Sequence, residues 1–249
     1  MISMLFKRLL DFWVVILLFL AWQMGVTLSQ VNAIVMPSPL ATVQAVLATP
    51  GLYLGALWST VSLAVGGLAF GMGLGVLVAL LSWYSRILRG LLTPVGIIFS
   101  SVPVVALIPI LSRMFGYGGG TVLAVVAIIS FFPFFVFVSS GLRALPAGSD
   151  NVFTVFGSSR WNRLIRLAIP SALPNFAVAL RITAPNSILA AMVGEFLMKT
   201  GGLGNLLSSA ADGFRTEQAI GASLVATFAA VMLFSACRWL EALIRARTL

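Results

Sequence analysis

Between Asp11 and Arg86 no residue carries a charge. A helix needs roughly 20 mainly apolar residues to cross about 30 Å of hydrocarbon, so this stretch alone can hold two transmembrane spans. The rest of the chain has the same character: 60% of its 249 residues are hydrophobic and 8% are charged, more apolar surface than a soluble domain of this size can bury in one core. The solvent is therefore a bilayer. Every backbone polar group there needs a partner within the protein, a condition that helices meet segment by segment.

Apolar windows predict an all-α membrane protein, one domain over residues 1–249, with six spans: Phe12–Leu28, Leu54–Ser82, Leu92–Ser112, Thr121–Leu142, Leu173–Leu197 and Gln218–Leu240. Six crossings put both termini on one side. That side receives Lys7, Arg8, Arg86, Arg89, Arg143, Arg160, Arg163, Arg166, Arg238, Arg245 and Arg247, while Arg113, Lys199 and Arg215 fall opposite and Arg181 lies inside a span. By the positive-inside rule the termini are cytoplasmic. The formal charge of +9 is then a topology signal that points to membrane lipid rather than to nucleic acid.

Several chemistries lack support. There is no histidine and one cysteine, so the commonest general base and zinc ligand are missing, no intrachain disulfide can form, and neither catalytic nor metal-ligating residues are expected. Gly71-Met72-Gly73-Leu74-Gly75 is not a phosphate loop, because no Lys-Ser/Thr follows it and no strand precedes it. Lys7 and Arg8 before an apolar run suggest a signal peptide, but Val31-Asn32-Ala33 is a poor cleavage site and the run is long enough to be retained as a helix.

Other features are structural. Gly67, Gly71, Gly75 and Ala79 recur every four residues, a face without side chains on which another helix can pack closely. Ser38 is placed to cap a short interfacial helix that starts at Pro39 and ends before Thr49-Pro50-Gly51. Pro103, Pro109, Pro133 and Pro185 free carbonyls inside the spans, which suits either a translocation path or packing kinks.

The most informative segment is the predicted cytoplasmic loop 144–171 (Ala144 to Ser171). Ser149 or Asp150 can cap a turn from Asn151 to Phe156, Gly157 can end it in a left-handed conformation, and Ser158 can cap a second short helix. In that second helix Arg160, Arg163 and Arg166 recur every three residues, a basic face fit for headgroups or a docked protein.

These residues resemble the permease subunits of bacterial ABC importers of the type I fold. Their cytoplasmic signature is Glu-Ala-Ala, three residues, Gly, nine residues, an aliphatic residue, one residue and an aliphatic-Pro pair. Gly157 is followed after nine residues by Leu167-Ala168-Ile169-Pro170, with Pro174 beyond, whereas Asn151-Val152-Phe153 replaces Glu-Ala-Ala. The order of further motifs is similar to the sulfonate, taurine and nitrate branch: Met36-Pro37-Ser38-Pro39, Val102-Pro103, Ala106-Leu107-Ile108-Pro109, Phe115-Gly116, Phe131-Phe132-Pro133, Leu180-Arg181, Gly194-Glu195 and Gly202-Leu203-Gly204.

The resemblance implies a multi-pass subunit of the bacterial cytoplasmic (inner) membrane that imports a small solute, in that branch an anion such as a sulfonate, taurine or nitrate, by alternating access. It is not itself an enzyme: two copies of a partner ATPase bind ATP and Mg, and no cofactor is expected in this chain. A second permease, expected as a homodimer, and a periplasmic or lipoprotein solute-binding protein complete the assembly. The turn beginning at Asn151 would be the coupling helix, with Asn151, Thr154, Phe156, Gly157, Ser158, Arg160 and Pro170 as the ATPase-coupling site. The missing glutamate shifts that contact onto Asn151, Thr154 and the arginines.

Four residues are candidates for a path or gate: Arg113, Pro109, Arg181 and Glu195. Arg113 at the outer mouth can meet an anion bidentately or snorkel to headgroups. Arg181 and Glu195 sit within or at the end of the fifth span, fourteen residues apart, so they cannot pair with each other on one helix and must face protein or water. Two rival classes are weaker. A serine-type membrane protease needs a histidine, and a secondary transporter is expected to show repeated halves.

Overall fold

The computed structural model describes residues 2–29, 32, 35–101 and 103–248, without side chains for 2–12, 93, 95–101, 104, 105, 150, 247 and 248. Val31 and Ala33 of the cleavage motif, Val102 of the Val-Pro motif, and the side chains of Lys7, Arg8, Asp150 and Arg247 lie outside the described residues. The described residues are helical: α1 (Ile2–Ser29), α2 (Pro39–Ala48), α3 (Pro50–Tyr84), α4 (Arg86–Ser101), α5 (Val104–Phe115), α6 (Gly119–Gly141), α7 (Ser149–Val155), α8 (Arg160–Arg163), α9 (Ile169–Met198), α10 (Gly202–Asp212) and α11 (Thr216–Thr248). Four rods are long and apolar enough to cross a bilayer, namely α3, α6, the run Arg160–Met198 and the run Thr216–Ala246; shorter apolar helices accompany them.

The core is built on α3 and α6, whose mutual contact is the most extensive in the molecule. The predicted small-residue face is what joins them: a Cβ added at Gly67 would lie 2.5 Å from Val126 Cβ, one at Gly75 2.6 Å from Phe131 O, and one at Gly71 would collide with Ala127 O. Lipid tails are as apolar as Leu, so association here comes from van der Waals contact between closely approaching backbones. The helix α9 lies across both, and α10 and α11 close the far side. Their shared core is rich in alanine (Ala64, Ala190, Ala191, Ala222 and Ala226 among Tyr53, Val122, Val126, Ile188 and Leu203). In contrast α1 meets the rest mainly through α2, where Gln23 Oε1 accepts from Leu40 N at 3.3 Å.

Ser38 caps α2 as expected, accepting from Ala41 N, with Pro39 in the first turn. The predicted third span, Leu92–Ser112, is not a single long helix. Helix starts at Arg86, with Ser85 alone separating it from α3, and the segment is divided into α4 and α5 near Pro103, whose missing N–H cannot continue a helix. The helix α10 was not predicted, although Leu203, Leu206, Leu207 and Ala210 carry the spacing of one helical face.

The loop before α9 also differs. Gly148, at φ 78, stands at the N-cap position of α7, and Ser149 instead donates its hydroxyl to Pro146 O. Ser159 rather than Ser158 caps α8, accepting from Asn162 N. The predicted second short helix is not separate: α8 passes through a π turn, Leu164–Ala168, directly into α9. Ile169 N donates to Leu164 O, five residues back. The ring of Pro170 would clash with the carbonyl four residues before it, and the wider turn makes room without ending the helix.

The seam predicts opposite outcomes at two neighbouring glycines. Gly71→Ala must push α3 away from α6 and cost about 1–3 kcal/mol. Gly73, which has nothing within 4 Å of an added Cβ, gains up to about 1 kcal/mol on Gly73→Ala from helix propensity. Thermal unfolding of the two purified variants in detergent checks this, and equal behaviour would remove the seam from its central place.

Candidate functional site: the coupling loop and the buried charges

The helix α7 stands out from the bundle. It is flanked by two left-handed glycines, Gly148 at φ 78 and Gly157 at φ 63, and a Cβ at either would meet open space. The φ value, not crowding, therefore selects glycine at both positions. After α7, Gly157 N donates to Thr154 O and Ser158 N to Phe153 O, closing the last carbonyls in the manner of a glycine C-cap. Asn151, Thr154, Phe156 and Gly157 are exposed, Ser158 is half-buried, and Arg160 and Pro170 are exposed. The sequence did not single out Val152 and Val155, yet they are 53% and 85% exposed beside Phe156 at 82%. The site is thus an apolar knob on a short helix, edged by arginines.

The internal charges act as ties. Glu195, fully buried, accepts at Oε2 from the Thr60 hydroxyl at 2.7 Å and from Gly204 N at 3.1 Å. The same Thr60 oxygen accepts from Leu203 N at 2.8 Å. These are the free N–H groups of the first turn of α10, which has no side-chain cap of its own. A carboxylate and a hydroxyl from two other helices therefore cap it, and the positive end of α10 faces the negative charge. Gly202, at φ 92, leaves the space that the carboxylate fills, and a Cβ there would overlap it.

Arg181 lies mid-span on α9 and pairs with Glu241 of α11, Nη1 to Oε2 at 3.1 Å, while Arg245 binds the other oxygen at 2.9 Å. Arg113 occupies the last turn of α5 and is exposed. Pro109 is exposed on the same helix, and its carbonyl accepts from the Ser112 hydroxyl at 3.0 Å. The end of α5 is fixed to α6 by Thr121, whose hydroxyl is 2.6 Å from Gly116 O. The structure therefore does not bring the four gate candidates together.

A different residue borders open space in the middle of the bundle. Asn186, exposed and directly after Pro185 in α9, lines both a groove of about 660 Å³ between α9 and α11 and a cavity of about 280 Å³ between α5, α6 and α9. The signal was an amide following a proline, a pair that α9 carries twice; the other, Asn175 after Pro174, donates to Phe137 O at 3.3 Å.

The Glu195 tie gives a direct test. Thr60→Val leaves Leu203 N and one carboxylate lone pair without partners in a buried site, and it is expected to lower stability by about 1–3 kcal/mol in thermal unfolding. Thr60→Ser keeps the hydroxyl and is expected to restore most of the loss. If both variants unfold like the parent, the cap on α10 does not stabilise the fold.

Comparison with known proteins places this geometry. Residues 71–249 match the family described as Binding-protein-dependent transport system inner membrane component. A probable ABC transporter permease protein of Haemophilus influenzae is 30% identical over 90% of this chain and 91% of its own length. The formylaminopyrimidine transport permease protein ThiX of Halalkalibacterium halodurans is 32% identical over 68% of each chain, and the putative aliphatic sulfonates transport permease protein SsuC of Bacillus subtilis is 25% identical over 88% of this chain and 80% of its own. Inward-facing structures of the MetNI methionine ABC transporter share the fold, with a TM-score of 0.70 at 17% identity over 79% of this chain and 98% of that one. The chain belongs to the binding-protein-dependent transport system inner membrane component family: it is a membrane-embedded transport subunit of an ABC importer, of the kind that works with an ATPase and a solute-binding protein.

Proposed function

We propose that this chain is the permease half of an importer for a small anionic solute of the sulfonate, taurine or nitrate type, driven by alternating access. The observation that carries the reading is α7: a short helix bounded by two left-handed glycines, with Val152, Val155 and Phe156 presented to solvent. An exposed apolar knob of this kind fits a cleft in a partner, and two copies of an ATPase, holding ATP and Mg, supply it here. Asn151, Thr154, Ser158, Arg160 and the rod that starts at Arg160 transmit its motion. Pro170 contributes through the π turn that keeps that rod continuous.

A second permease, a second copy of this chain in the simplest assembly, closes the groove beside Asn186, and a binding protein delivers solute at the Arg113 end. In this arrangement the termini and α7 are cytoplasmic and the membrane is the bacterial inner membrane. Arg181 and Glu195 serve as ties that keep α9 in register with α11, α3 and α10, and Asn186 replaces them on the solute path.

The test is reconstitution with the ATPase and binding protein. Phe156→Asp and Gly157→Arg are expected to abolish ATPase co-purification and solute-stimulated ATP hydrolysis; at Gly157 the added left-handed strain is about 1–2 kcal/mol. Transport by the purified chain in liposomes without any ATPase would refute the reading.

Solute contact is checked separately in the same proteoliposomes. Asn186→Leu is expected to raise the apparent KM for solute at least several-fold, and Arg113→Leu to raise it only at low ionic strength, as a steering charge does. Unchanged KM values in both would remove these residues from the path.

A further inference from the structure

Five arginines, Arg86, Arg89, Arg143, Arg160 and Arg163, line one pocket of about 850 Å³ where the ends of α3 and α6 meet the starts of α4 and α8. Among the described residues no carboxylate shares that wall. The described acids are engaged or placed elsewhere: Glu195 with Thr60 and Gly204, Asp212 with Lys199, Glu241 with Arg181 and Arg245, and Glu217 in the first turn of α11. Arg86, Arg89, Arg143 and Arg160 form no ion pair among the described residues.

Helix capping explains only part of this cluster. Arg89 Nε donates to Ser82 O at 3.4 Å and Arg143 Nε to Ser139 O at 3.0 Å, each satisfying a carbonyl near a helix end, where a cation is favoured. Both residues also line the pocket. Arg86 and Arg160 have no such role. Each opens a helix, α4 or the rod Arg160–Met198, and a cation in the first turn opposes the helix dipole. Partial burial and then the neighbouring Arg89 guanidinium lower the pKa of Arg143, as expected where cations crowd together.

The rest of the wall narrows which anion fits. Trp83 donates its indole N–H to Leu142 O at 3.1 Å, and beside it Tyr84 and Ile87 are 56% and 77% exposed. Aromatic rings and an exposed aliphatic side chain next to arginines at the end of two spans form the boundary between headgroup and acyl chain. A free inorganic anion would leave that apolar rim without a role.

We propose that this pocket binds the phosphodiester headgroup of an anionic phospholipid, with Arg86, Arg89, Arg143 and Arg160 around the phosphate and Tyr84 and Ile87 along the glycerol and first acyl carbons. The site does not depend on whether α7 docks an ATPase.

The experiment uses the purified full chain in dodecyl maltoside and follows thermal unfolding as phosphatidylglycerol, phosphatidylcholine or inorganic phosphate is added. Phosphatidylglycerol is expected to raise Tm by about 5 °C, and the other two to leave it unchanged. In the double variant Arg86→Gln/Arg160→Gln that shift should fall to less than half, while Arg238→Gln, an exposed arginine on α11, keeps the full shift. Native mass spectrometry of the same samples counts retained lipid and gives a readout if the double variant is less stable. An equal response to phosphatidylcholine, a full response to phosphate alone, or an undiminished response in the double variant overturns the proposal. So does a double variant that loses only ATPase binding while phosphatidylglycerol fails to stabilise the parent, because the pocket would then be a protein dock.

Discussion

In a bilayer no hydrophobic gain accompanies the meeting of two apolar helices, so the seam between α3 and α6 must be held by contact alone. Gly67, Gly71 and Gly75 bring backbone to within touching distance of Val126, Ala127 and Phe131, and dispersion forces fall off steeply with any gap. Everything else is placed by that seam. The helix α9 lies across the two, α10 is seated against α3 by Thr60, and α11 packs on α9. Beyond the seam, close packing continues through alanine at Ala64, Ala191 and Ala222.

The charges inside the bundle follow the same economy of space. Glu195 and Arg181 each have a protein partner on another helix, Thr60 and Glu241 respectively. A charge in hydrocarbon is costly unless paired or hydrogen-bonded, and here each pairing also fixes the relative position of two helices. Relatives named for formylaminopyrimidine and for aliphatic sulfonates match this chain over most of its length, so one scaffold is shared by proteins named for different solutes.

Much of this was legible in the sequence because membrane helices announce themselves locally. Hydropathy found the long rods, the four-residue glycine period found the seam, and Gly157 was correctly assigned its left-handed turn. What escaped was decided by partners distant in sequence or by competition between neighbours. The cap of α10 comes from Thr60 and Glu195, so no local signal marks its start. Ser158 and Ser159 are adjacent residues of the same capping type, and the structure uses the second. The predicted break between the loop 144–171 and the span starting at Leu173 is absent, because the π turn carries the helix through Pro170. Arg181 and Glu241 are sixty residues apart in the chain, and nothing in a linear reading links them. At α7 the motif pointed to polar residues and Phe156, whereas the exposure of Val152 and Val155 became visible only once the loop was built.

Because the π turn joins α8 to α9 without a break, the run Arg160–Met198 is a single rod of 39 residues, about 58 Å long at 1.5 Å per residue. Near one end it is anchored through Glu195 to α3 and α10. A second tie, Arg181 to Glu241, lies farther along the run, and the contour from the Glu195 anchor to Arg160 is at most about 50 Å. A rotation of only about 5° around that anchor carries the opposite tip through up to about 4–5 Å. Small angular changes at a fixed point are therefore converted into displacements of molecular width at the other surface, with no need for any helix to unfold.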